Sequence, residues 1–74
     1  MSKISPLKSD EVIRRLRKLG FEGPIAGGKH MRMIHPNKRQ IVPIPTHKGK
    51  DVGVGLIRAI LRQVEVTPEE WNNL

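Results

Sequence analysis

Two stretches with helical apolar spacing, separated by a span broken repeatedly by glycine and proline, restrict this chain more than any other feature. Val12, Ile13, Leu16 and Leu19 recur at the spacing of a helix and define one apolar stripe. Ile57, Ile60, Leu61 and Val64 make a second stripe near the other end. Ser9 stands where an N-cap belongs, with Asp10 and Glu11 in the first turn, where they favour the helix dipole. Gly20 is placed to end the first helix in a left-handed conformation and to fold Phe21 back onto the core. Arg14, Arg17 and Lys18 then face outward on the first helix, as Arg58 and Arg62 do on the second. The first set is an ordinary solvated face or an RNA contact.

The intervening residues alternate as strands. Residues 21–26 read as a first strand, at an edge or bulged, because Pro24 lacks a ladder donor. Residues 30–34 make a second strand, with Met31 and Met33 on one face and His30, Arg32 and Ile34 on the other. "HPNKR" is a turn that leaves His35 at the surface, and Gln40–Ile44 is a third strand whose growth Pro43 and Pro45 discourage. A basic, glycine-rich connection covers residues 46–55. Thr67, Pro68 and Glu70 form a capping box that opens a short last helix, which Trp71 pins to the core. The order α-β-β-β-α plus a short C-terminal helix is an α+β fold: a three-stranded antiparallel sheet with helices on one face and the other face open.

Its 74 residues make one domain, 1–74, with residues 1–8 as a loose lead-in. A chain this short has a thin core. It has no cysteine, which excludes disulfides and cysteine-based zinc sites. Histidines 30, 35 and 47 lack the spacing of a metal site, so no metal or other cofactor is expected. No run approaches the ~20 apolar residues of a membrane span, and "MSKISPLKSDE" has no signal core. The expectation is a cytoplasmic protein that does not bind membranes.

Fourteen Lys and Arg against seven Asp and Glu give a net charge of +7, which attracts polyanions: nucleic acid first, an acidic protein second. Phe21 and Trp71 are the only aromatics and both are assigned to packing, so there is no base-stacking platform. Contacts to the RNA backbone and 2′-hydroxyls remain, as in double-stranded-RNA-binding folds. Nucleotide hydrolysis is disfavoured, since the G-K-[ST] ending of a P-loop is missing. Asp10, Glu11, Glu65, Glu69 and Glu70 are accounted for by helix ends and termini. In "GGKHMRM", His30 lies beside Lys29 and Arg32. Its ordinary pKa of about 6.5 and the neighbouring cations favour a neutral imidazole. Such a group can take a proton from a ribose 2′-hydroxyl, while Lys29 and Arg32 hold the phosphate. Gly27 and Gly28 permit close approach of a nucleic-acid backbone. A tight turn beside a surface histidine explains the same residues, and the local pattern by itself favours that plainer reading. His47 and Lys48, ahead of the second helix, form another candidate phosphate site.

Taken together, "DEVIRRLRKLGFE", "GGKHMRM", "IVPIPTHKGKDVG", "GLIRAILRQ" and "TPEEW" resemble, in order and spacing, the HicA-type toxins, a family of mRNA interferases. The resemblance implies a double-stranded-RNA-binding-domain-like fold acting as a metal-independent endoribonuclease, held inactive by a HicB-type antitoxin. It puts the family's catalytic histidine on His30 and the preceding glycine on Gly28 or Gly27. Lys29 stands where the family commonly has serine, and Pro24 interrupts a usually unbroken first strand. On this reading His30 is the general base, and Gly28, Lys29, Arg32, Arg39, His47 and Lys48 bind RNA. A non-catalytic RNA-binding module of the same fold and a basic protein-interaction module are the alternatives. The sequence carries no sign of an oligomeric state.

Overall fold

A computed structural model describes residues 2–27, 30–45 and 50–74, with residue 30 described by its backbone. The elements run α1 (Ser9–Lys18), β1 (Glu22–Gly27), β2 (His30–His35), β3 (Gln40–Ile44), α2 (Val54–Val64) and α3 (Pro68–Asn72). The strands form one antiparallel sheet in the order β1-β2-β3, so β2 is central. The expected α-β-β-β-α order with a short last helix is therefore the observed one.

α1 begins differently from the expectation. Lys8 occupies the N-cap position without a side-chain cap. Ser9 is already helical, and its hydroxyl donates instead to the carbonyl of Pro45 at 2.8 Å. That long-range bond fixes the start of α1 against the end of β3, which serves tertiary packing where a local cap would serve only the helix. The C-terminus does follow the sequence: Gly20 has φ +99°, Gly20 N–H donates to Arg17 O and Phe21 N–H to Leu16 O. These two bonds complete a Schellman motif, and Leu16 and Phe21 are both buried beside it.

β1 is irregular where Pro24 falls. Its register with β2 shifts between Glu22 and Ile25, and the Gly23–Pro24 bond is cis. Gly23 has φ +129°, and a Cβ there would lie 2.8 Å from the carbonyl oxygen of Arg32, so only glycine fits. Arg17 reaches over from α1 and donates to Gly23 O through Nε (3.0 Å) and Nη2 (2.7 Å). On the opposite margin, Gln63 of α2 donates to Ile41 O and Gln40 donates to Gln63 O, both at 2.8 Å.

Met33, Val42 and Ile44 are fully buried on the covered face of the sheet, against Val12, Leu16, Ile57 and Trp71 from the helix layer. Residues 2–8 are tied down rather than loose. Ile4 is buried in the core, and Leu7 pairs with Val52 through two backbone hydrogen bonds. The capping box of α3 is complete: Thr67 Oγ1 accepts from Glu70 N–H and Glu70 Oε1 accepts from Thr67 N–H. Trp71 is buried as expected, with the Arg15 guanidinium 5.3 Å from its ring centroid. Among the described residues no helix is long and apolar enough to cross a membrane.

Candidate nucleic-acid interface

β2 sorts its side chains by parity. Met33 and His35 are buried on the covered side, whereas Arg32 is exposed on the open side. Register extends this across the sheet: Ile25, Arg32 and Pro43 form one row, and Glu22, Ile34 and Ile41 form the next. The open face thus carries one exposed guanidinium among aliphatic groups. Ile25 is 43% and Ile41 49% exposed, with Glu22 at its margin. Arg32 makes no ion pair among the described residues. Placing Ile34 with Arg32 agrees with the sequence pattern. That β1 and β3 add Ile25 and Ile41 to that face was missed, although an isoleucine at an odd step of each strand carried the signal.

The start of β2 and the close of β3 meet at one end of the sheet. Residue 30 opens β2 and pairs with Gly27, and Met31 pairs with Ile44 at the close of β3. The backbone at residue 30 and the close of β3 therefore share that end. Gly28, Lys29, His47 and Lys48 lie outside the described residues, as does the His30 side chain. Arg39 is at the other end, beyond the His35–Gln40 pair, with φ +52°. At about 3.4 Å per strand residue it stands roughly 17 Å along the hairpin from residue 30. A ligand that meets both must run the length of β2.

His35 is not the surface residue the turn suggested. It is 8% exposed, and its ring meets Phe21 edge-on at 5.1 Å and 89°. Nδ1 accepts from Lys38 N–H at 3.2 Å. A Cβ on Gly20 would lie 3.0 Å from Nε2, so the glycine that ends α1 also leaves room for this ring. His35 is a packing and turn-closing residue, and the adjacent proline hid that role.

All three arginines of α1 are engaged within the fold. Glu11 accepts from Arg14 Nε at 2.9 Å and from Arg15 Nε at 2.7 Å. These bonds, from Arg14 first and Arg15 second, hold its carboxyl down at about 2. With Arg17 bound to Gly23 O, Lys18 is the α1 cation with neither an ion pair nor a side-chain hydrogen bond among the described residues. Phe21 and Trp71 are both buried, so neither ring is available for base stacking. Among the described residues no cluster of three His, Asp or Glu side chains converges as a metal site.

Comparison with known proteins adds a family. The model of the HicA toxin of bacterial toxin-antitoxin systems matches residues 9–66, from the first residue of α1 to two residues beyond α2. No curated protein matches the chain. The match covers most of the 74 residues, including the whole sheet and both long helices, and the chain belongs to the HicA toxin family.

Proposed function

We propose that this toxin is a metal-independent endoribonuclease that cleaves mRNA, with His30 as general base, and that a HicB-type antitoxin neutralises it. The observation that carries the reading is the parity of β2. Position 30 is in step with exposed Arg32 and out of step with buried Met33 and His35. That step of β2 belongs to the open face, at the end of the sheet where β3 closes at Ile44.

The neutral His30 imidazole takes the proton of a ribose 2′-hydroxyl. The oxygen attacks the adjacent phosphorus, the bond to the 5′-oxygen breaks, and a 2′,3′-cyclic phosphate and a 5′-hydroxyl result. Water, Lys29 or His30 in its protonated form returns the proton to the leaving oxygen. Lys29 and Arg32 stabilise the charge that grows on the phosphate, a role cations fill at transferring phosphoryl groups. Gly28 admits the RNA backbone, His47 and Lys48 hold a neighbouring phosphate, and Arg39 meets the strand farther along. With both aromatics buried, affinity rests on phosphate and ribose contacts and falls with salt. The aliphatic groups around Arg32 support an antitoxin seated on the open face, since they gain from burial against a protein and little from RNA.

The test is cleavage of a long single-stranded RNA by wild-type and His30→Ala proteins in EDTA, with both folds checked by circular dichroism. Cutting by the wild type alone supports the reading. Equal cutting removes His30 as the base and moves attention to His47. Binding without cutting by either protein favours the non-catalytic RNA-binding module.

A further inference from the structure

A second surface lies on the helix layer, away from the open face. A groove of about 610 Å³ runs between the N-terminal segment, the later turns of α2 and the link into α3. Buried Ile4 and Leu61 form its floor, and Val66 and Pro68 add apolar wall. Arg58 and Arg62 are exposed along it, four residues or about 6 Å of helix rise apart. Neither makes an ion pair or a side-chain hydrogen bond among the described residues. Glu65 is the one carboxylate on the lining.

We propose that this groove docks an acidic polypeptide segment of a partner protein. One aliphatic side chain of the segment rests on Ile4 and Leu61, and carboxylates meet Arg58 and Arg62. Charge complementarity argues for the acid: two uncommitted guanidiniums face outward on a chain of net charge +7. The aliphatic floor argues for a polypeptide over RNA. No aromatic ring is present to stack a base, and a phosphate backbone gains nothing from isoleucine and leucine.

The walls are set in advance, which lowers the ordering cost of binding. Asn72 Nδ2 donates to Lys3 O at 2.9 Å and straps the N-terminal segment to α3. Glu65 closes α2 at φ 59°, Val66 N–H donates to Leu61 O, and the Thr67–Glu70 box fixes the next turn. Ile4 and Pro68 lie outside the family-matched residues 9–66, so the groove belongs to this chain's own flanks as well as to the shared fold.

The experiment selects 12-residue peptides by display against the intact chain and maps them by amide chemical shifts on the labelled protein. The expected peptides carry Asp or Glu around one Leu, Ile or Met and shift amides of residues 4 and 58–67. Arg58→Glu with Arg62→Glu, both at exposed positions, weakens them at least tenfold while circular dichroism stays unchanged. Replacing the peptide's aliphatic residue by Ser has the same effect. Peptides that map instead to the open face around Arg32, or that bind the double variant equally, overturn the proposal. A selection that yields no peptide perturbing the groove overturns it too. A 12-nucleotide single-stranded RNA that shifts the same amides reassigns the groove to nucleic acid.

Discussion

The two faces of β2 differ more than their sequences do. One strand of six residues sends Met33 and His35 into the core and leaves Arg32 in solvent. On the covered face the described histidine is packed on Phe21, and its Nδ1 accepts from Lys38 N–H. On the open face a guanidinium stands among aliphatic groups, with no ion pair among the described residues. A histidine's residue type therefore says little about its role. Its step along the strand says much more, because one step exchanges a packed interior for a solvent-exposed face.

The sharpest break of this contrast is His30→Ala. Loss of a general base lowers RNA cleavage about 10²- to 10⁴-fold. Stability stays within about 0.5 kcal/mol of wild type, as for exposed sites. Denaturant melts beside the cleavage assay check both, and a variant that unfolds puts position 30 on the wrong face. The next contrast needs no activity. Met33→Ala, at a fully buried site, costs about 2–5 kcal/mol. Ile41→Thr, at a site 49% exposed, costs about 0.5 kcal/mol or less in the same urea titration.

His35→Ala falls between them. It removes an edge-on aromatic pair and a hydrogen-bond acceptor, a loss of about 1–3 kcal/mol. RNA cleavage by the folded fraction remains at the wild-type rate, the reverse of the His30 result. The smallest effect is at Glu11. Its carboxyl ionises at about 2 in the folded chain, below its ordinary 4.5. The stability it contributes is complete above pH 4.5 and is lost as pH falls from 4.5 toward 2. Glu11→Gln flattens the acid limb of a stability–pH curve in that window, and added salt shrinks the difference, because the cluster is open to solvent.

Local signals fixed most of the architecture. Apolar spacing gave both long helices, the Thr67–Glu70 box gave α3, and alternation over residues 31–34 gave the correct face for Met33 and Arg32. The readings that failed share a cause: each residue's partner is distant in sequence. Ser9 looks like a cap, yet its hydroxyl bonds Pro45, thirty-six positions away. His35 looks like a turn residue because its neighbours are Pro36 and Asn37. The space it fills is made by Gly20 and Phe21. Residues 2–8 look like a tail until Ile4 meets the core and Leu7 meets Val52. The candidate site was readable as a short motif around His30. That Arg39 stands at the far end of the hairpin follows only from register.

The clasp between Gln40 and Gln63 has a consequence for how partners reach this protein. An outer strand is ordinarily open to whatever extended chain arrives, including another copy of itself. Here the Ile41 carbonyl is occupied by a helix side chain and Pro43 has no N–H to offer, so an incoming strand finds little to pair with along β3. Traffic on that side of the molecule is confined to its broad surfaces, where side-chain chemistry can select a partner and backbone pairing cannot.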